Sequence, residues 1–401
     1  MRLFVFLSIL LSSLSSYAQY SITGKVIDIY NKAPIVKASV FLSNTTVGGS
    51  TGEDGSFNLT NVKPGQYDMI ISAVGYETLH KTVLVDRLLN IPYTELTPKT
   101  IALNAVVVKP DPEREQNYKI FKEEFYGPTE FALQCKILNP EVLDLEFDKA
   151  KRTLNAKSSE FLIIENKALG YRLHYQLITF VKDYKTGSLF YQGNVLFEPL
   201  QGKSSQMRKW YKNRLVAYQG SCEHYLRSVI GMNTANEGFK TLRLMRKPNP
   251  QRPADSLIKA KMKQFSPKTN TGHFILSDSL IYWNTQNRLP KTVDYLVTKP
   301  LRPDSLVKPT DVNGIFAIAF DDMLYVLYTK KKSDESYPNR PLNAPDNLTS
   351  VVTFKEAYAF FDRNGVIANA TAVIFEGDWG TNRIAKLLPV DYDPKEKDLK
   401  K

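Results

Sequence analysis

TVGGSTGEDGSFNL (residues 46–59) and KPGQYDMIISAVGYET (residues 63–78) are the stretches whose reading decides the fold. Gly48-Gly49, Glu53-Asp54-Gly55 and Pro64-Gly65 are turn signals, because Gly reaches positive φ freely and Asp hydrogen-bonds its own turn backbone. Between them lie two β-rich runs, Phe57-Asn58-Leu59 and Tyr67 to Val74. Working outward, ITGKVID (22–28) sets Ile22, Gly24, Val26 and Asp28 at alternate positions, and APIVKASVFL (33–42) ends in another β-rich run. Helical spacing is absent from Ser21 to about Val108. Short strands at this spacing predict an antiparallel sandwich whose two sheets bury their alternating faces against each other.

The four stretches together resemble the carboxypeptidase-regulatory-like domain, through Gly24, Pro34, Ala38, Gly52, Asp54, Gly55, Phe57, Gly65, Tyr67, Gly75 and Tyr76. The resemblance implies a transthyretin-like Greek-key β-sandwich. Such modules stand beside the catalytic domain of some metallocarboxypeptidases and at the N-terminus of many outer-membrane receptors of Gram-negative bacteria. Beyond the sandwich, CKILNPEVLDLEF (135–147), SEFLIIENKALGYRLHY (159–175), WYKNRLVAYQGS (210–221) and FEGDWG (375–380) are similar to bacterial envelope proteins named only for this domain. That similarity implies export and architecture but no accepted activity or cofactor.

The chain of 401 residues has room for two or three domains at roughly 100–200 residues each, and 43% hydrophobic residues suffice for proper cores. Arg2, the apolar run Leu3 to Leu11 and the small residue Ala18 read as a secretory signal peptide over 1–18, cleaved after Ala18 or Gln19. The implied place is the periplasm, the outer membrane's vicinity or the cell surface. In such a compartment Cys135 and Cys222 either pair or pack as two separate thiols. After the sandwich (19–108), LNAVVVKPD (103–111) is similar to the segment before the plug of energy-coupled receptors. The chain beyond it is too short for about 22 strands with their connections and a plug, and DYDPKEKDLKK departs from the aromatic end of such barrels.

Residues 109–115, with Pro110 and Pro112, read as a linker. A β-rich α+β domain is expected over 116–390, with a charged tail at 391–401, so the fold class is multi-domain. Tyr118, Phe121 and Phe125 recur at helical spacing, as do Phe131, Cys135 and Leu138. Ser221 is placed to cap a helix to about Ile230, and Thr381 to cap one carrying Ile384, Leu387 and Leu388.

Lys and Arg number 53 against 41 Asp and Glu, giving a formal charge of +12. The excess concentrates in 201–263, where 14 Lys or Arg face Glu223, Glu237 and Asp255. RKWYKNR (208–214) interleaves cations with aromatic rings able to stack on sugars. Arg208, Lys209, Trp210, Lys212 and Arg214 are therefore the candidate contacts for an anionic glycan, lipopolysaccharide or an acidic envelope protein. A solvated face, or Arg214 and Arg227 paired within the fold, is the plainer reading. Export argues against nucleic acid.

A zinc carboxypeptidase needs a His and Glu three apart plus a distant His. His80, His174, His224 and His273 are followed at that spacing by Val83, Leu177, Arg227 and Leu276, so neither that metal set nor HExxH is present. The GxSxG match at Gly48 to Gly52 lies between sandwich strands, whereas a nucleophile elbow enters a helix. The alternative to a binding protein is a glycan- or peptide-processing hydrolase using Asp321, Asp322, Glu376 or Asp378, or Ser221 or Cys222 with His224. DSL at 255–257, 278–280 and 304–306 resembles the O-glycosylation site of exported proteins in some Gram-negative bacteria. Asp-Ser also opens turns and helices.

Overall fold

The computed structural model describes residues 20–99, 113–266, 278–332 and 346–394. The signal peptide, LNAVVVKPD, most of the linker and most of the charged tail lie outside the described residues. The N-terminal part is the expected sandwich. One sheet is ordered β4 (Ser56–Val62), β1 (Tyr20–Asp28), β7 (Leu89–Leu96), and the other β3 (Gly48–Ser50), β2 (Ser39–Leu42), β5 (Gly65–Ser72), β6 (Leu79–Val85). Their inner faces bury Ile22, Val26 and Leu59 against Val40, Met69 and Ile71. β1 pairs antiparallel with β4 and parallel with β7. Gly24 is required where these strands converge, since a Cβ there would lie 2.5 Å from the Ile91 carbonyl and 2.7 Å from the Phe57 ring. Asp54 Oδ1 accepts from Ser56 N at 3.0 Å, the turn chemistry expected of it.

The next part is organised by α1 (Arg114–Tyr126) and the long β12 (Tyr171–Asp183). One edge of β12 pairs throughout with β13 (Leu189–Pro199). Its other edge is shared by β11 (Leu162–Asn166), which carries β8 (Cys135–Ile137), and β10 (Thr153–Ser158), which carries β9 (Leu143–Asp148). Phe121 and Phe125, one helical turn apart, reach Phe180 and Tyr175 with ring centroids at 4.9 and 5.4 Å. This sheet is welded to the sandwich: Asn44 N donates to Val195 O at 2.7 Å and Phe197 N to Thr45 O at 2.9 Å.

Downstream come α2 (Ser204–Tyr218), α3 (Cys222–Ile230) and α4 (Thr234–Glu237). A second large sheet follows, ordered β15 (Thr292–Val297), β14 (Phe239–Pro248), β18 (Met323–Lys332), β19 (Asn347–Phe354), β21 (Val373–Gly377). Helices α5 (Asp255–Phe265) and α6 (Asp278–Arg288) lie between β14 and β15 in sequence. A small sheet joins β16 (Val307–Pro309), β17 (Ile315–Ile318) and β20 (Ala359–Asp362). Residues 116–390 thus contain two apolar clusters, one around α1 and β12, the other around α3 and β18.

The end of the described chain runs through every core. Trp379, in the one-turn α7 (Asp378–Thr381), joins the α3–β18 cluster, and Ile384, Ala385, Leu388 and Tyr392 join the α1–β12 cluster. Val390 joins the sandwich. Thr381 closes a helix here instead of opening one: its Oγ1 donates to Asp378 O at 2.8 Å, and only a 3₁₀ turn follows at Ile384–Lys386. The segment from Phe131 also departs from expectation. A 3₁₀ turn at Glu130–Gln134 leads into β8, because β11 offers an edge to pair with and Tyr126 OH accepts from Ile137 N at 2.9 Å.

Candidate functional site

α2 carries the cationic residues singled out above, and its 3.6-residue period sorts them onto two faces. Arg208, Lys209 and Lys212 fall within about 100° of arc and are exposed. Among the described residues none of these three side chains has an acidic partner. Trp210 and Arg214 are on the other face, 7% and 9% exposed.

The buried face clasps the turn between β11 and β12. Trp210 Nε1 donates to Lys167 O at 2.9 Å, Asn213 Nδ2 to Ala168 O at 2.7 Å, and Arg214 Nε to Leu169 O at 2.8 Å. Arg214 Nη2 reaches Gly170 O at 3.3 Å, and its guanidinium lies 4.1 Å over the Tyr171 ring. Four consecutive carbonyls are satisfied from one helix. The indole occupies space that a side chain at Gly170 or Gly202 would need: Cβ atoms there would stand 2.2 and 2.5 Å from its ring. Asn213 was not anticipated, because a helical Asn gives no signal without its partner carbonyl.

A cavity of about 300 Å³ adjoins this face, lined by Thr46, Tyr171, Met207, Trp210, Arg214 and Asp391 among others. Thr46 N and its hydroxyl both donate to the Asp391 carboxylate. The cavity thus sits where α2, the sandwich and the end of the chain meet.

Of the residues weighed for hydrolysis, Asp321 is simply exposed, and most of the others are engaged otherwise. Asp322 pairs with Arg243. Arg246 donates to both Glu376 oxygens, at 2.8 and 3.1 Å, and to both Asp294 oxygens, at 2.8 and 3.0 Å. It thereby ties β14 to its neighbour β15 and also to β21, three strands away in the sheet order. Asp378 is buried and accepts from Asn382 Nδ2 at 3.3 Å. Ser221 caps α3, accepting from His224 N at 3.1 Å. His224 Nδ1 accepts from Gly220 N at 3.2 Å, leaving Nε2 with the proton, 3.2 Å from Glu237. Burial lowers the His224 pKa and raises that of the Cys222 thiol, so these two do not form a thiolate–imidazolium pair. Cys135 and Cys222 are both free thiols, and burial pushes Cys135 up to about 12.

One carboxyl group with unusual proton affinity escaped sequence reasoning. Burial pushes Glu223 up to about 7, with Asp362 adding to the rise and Arg227 opposing it. Asp362 is itself raised by burial, although Val366 N and Asn364 donate to it. Arg227 donates to Asn364 O at 2.7 Å, Val390 O at 2.8 Å and Tyr392 O at 3.1 Å, binding α3 to the β20 turn and the chain end. Among the described residues no group of three or more His, Cys, Asp or Glu is placed to hold a metal ion, and no helix is long and apolar enough to cross a membrane.

A search of curated proteins finds no match. Among solved structures, the pilus 2b backbone protein of group B streptococcus is 24% identical over 20% of this chain and 42% of its own, with a TM-score of 0.18. The major pilin subunit of Bacillus cereus is 18% identical over 20% and 30%, with a TM-score of 0.18. A Bacteroides fragilis NCTC 9343 protein of unknown function is 14% identical over 85% and 92%, with a TM-score of 0.17. The chain spans 30% to 56% of the length of the first three structures it matches, and at these TM-scores none of the likenesses carries an argument. The family comparison is narrower and firmer: residues 22–108 match the model of the CarboxypepD_reg-like domain, so the N-terminal β-sandwich is a domain of that family.

Proposed function

We propose that the protein is an exported binding and scaffold component of a Gram-negative cell envelope, periplasmic or associated with the outer membrane. In this reading residues 1–18 are a cleaved signal peptide and the sandwich is a docking module. The outward face of α2 takes an anionic glycan such as lipopolysaccharide, or an acidic envelope protein. The observation that carries it is the set of three exposed cations, Arg208, Lys209 and Lys212, which face water together with no acidic partner among the described residues. Trp210 and Arg214 contribute from behind, by fixing α2 against the 167–170 turn.

Purified mature protein passed over immobilised lipopolysaccharide tests this, beside the triple variant Arg208→Glu, Lys209→Glu, Lys212→Glu. Retention at low salt that is lost at high salt and in the folded variant is expected. Equal behaviour of the two proteins would overturn the α2 assignment. Arg214 is left out of the variant because reversing it would break the clasp.

The second reading, a hydrolase in the C-terminal part, is favoured by Glu223, which near neutral pH holds a proton beside a second carboxyl, Asp362. A hydrolytic activity on envelope glycans or peptides that survives Glu223→Gln would eliminate this group as its acid.

A further inference from the structure

β14 pairs with β18 over Phe239–Leu244 and with β15 over Arg243–Pro248, so beyond Leu244 the two strands continue as a ribbon without a third. The helices α5 and α6 pack together at its far end. This arm is firmly built: Arg252 donates to the Gln286, Asn287 and Leu289 carbonyls at 2.8, 2.8 and 3.0 Å, closing the end of α6, and with Lys291 it holds Asp255. Arg246 is fixed by Asp294 and Glu376. On the arm, Lys247, Lys259, Lys263 and Arg288 remain exposed, with no acidic partner among the described residues. The same arm exposes Leu257 (45%), Ile281 (48%), Tyr282 (54%) and Tyr295 (44%). Trp283 stands edge-on to Tyr282 at 5.3 Å.

We propose that the β14–β15 ribbon with its α5–α6 hairpin is a docking arm for the surface of an anionic phospholipid bilayer. Two properties coincide on it. Its exposed cations complement the negative potential of anionic headgroups, and exposed aliphatic and aromatic side chains, Tyr282 and Tyr295 among them, suit the boundary between headgroup and acyl chain. A soluble polyanion would satisfy the cations but leave Ile281 and Tyr282 in water. The arm is separate in sequence from the cationic face of α2, so the two assignments can fail independently.

Co-sedimentation of the mature protein with phosphatidylcholine vesicles, with and without phosphatidylglycerol, tests the proposal. Binding is expected only with the anionic lipid, weakening as salt rises. Lys259→Glu with Lys263→Glu should lower partitioning at least about tenfold, since each cation near such a surface is worth roughly fivefold. Ile281→Ser with Tyr282→Ser should lower it as well, which no purely electrostatic attachment would do. Circular dichroism establishes that each variant is folded. Absence of vesicle binding, binding unchanged by both arm variants, or binding lost only in the α2 triple variant would each overturn the arm assignment. Capture by immobilised heparin without binding to anionic vesicles would overturn it too and assign these cations to a soluble polyanion.

Discussion

Replacing Trp210 by Ala separates a ligand-stacking indole from a structural one. The indole is 7% exposed, fills the space above Gly170 and Gly202, and donates to the Lys167 carbonyl at 2.9 Å. Truncating a buried Trp costs roughly 3–5 kcal/mol, and the lost hydrogen bond about 1 kcal/mol more. The adjoining cavity lets water reach part of the vacated site, so the net loss is set at about 4 kcal/mol. Gly202→Ala approaches the same contact from the other side. Its φ lies outside the left-handed region, but the new Cβ would stand 2.5 Å from the ring, so the indole must shift at a cost of roughly 1–3 kcal/mol. Urea unfolding followed by far-ultraviolet circular dichroism reads both. A loss below about 1 kcal/mol for Trp210→Ala, accompanied by lost lipopolysaccharide binding, would refute the structural reading and return the indole to the ligand.

Further outcomes follow from the same geometry. Arg227→Met leaves three carbonyls without their charged donor and should cost about 3 kcal/mol in urea unfolding, whereas an unchanged midpoint would mean that water replaces the guanidinium freely. Because the folded state holds the Glu223 proton up to about pH 7, the unfolded state releases it first. This group's contribution to stability therefore falls as pH rises from the ordinary Glu range to about 7 and is flat above it. Glu223→Gln should remove that slope from a thermal-melting series, and an unaltered slope would assign it to another group. Cys135 and Cys222 should label slowly with a thiol reagent at neutral pH in the native protein and quickly in urea, since burial raises both thiols; fast native labelling would contradict that burial.

Where local pattern and tertiary demand agree, the sequence is readable. Alternation at Ile22, Gly24 and Val26 and the turn at Asp54-Gly55 became β1 and the β3–β4 connection, and the spacing of Phe121 and Phe125 became the inner face of α1. Phe131, Cys135 and Leu138 carry the same helical spacing, yet β8 forms there because β11 presents an unpaired edge. Nothing local announces that edge. Ile384 to Leu388 likewise lacks its helix, because Arg383 is drawn to Glu124 at 2.7 Å and the apolar residues are needed in a neighbouring core. The candidate site was legible as composition and not as geometry. A run of cations and aromatics marks α2, but only the helix phase, set by where the 167–170 carbonyls lie, decides that Arg208 faces water while Arg214 faces the fold. Asp391 and Glu223 owe their surroundings to residues hundreds of positions away or on another sheet.

The threading of Trp379 to Tyr392 through three cores has a consequence for the order of events in the life of the chain. A ribosome delivers this stretch after nearly everything it packs against, so the sandwich, the α1–β12 cluster and the α3–β18 cluster each receive their last packing residues late. A product interrupted before Trp379 would keep hydrophobic surface open in all three places, the state that chaperones hold and proteases clear. The same economy concentrates risk in the finished molecule, where one peptide-bond cleavage between Trp379 and Val390 would loosen three cores at once.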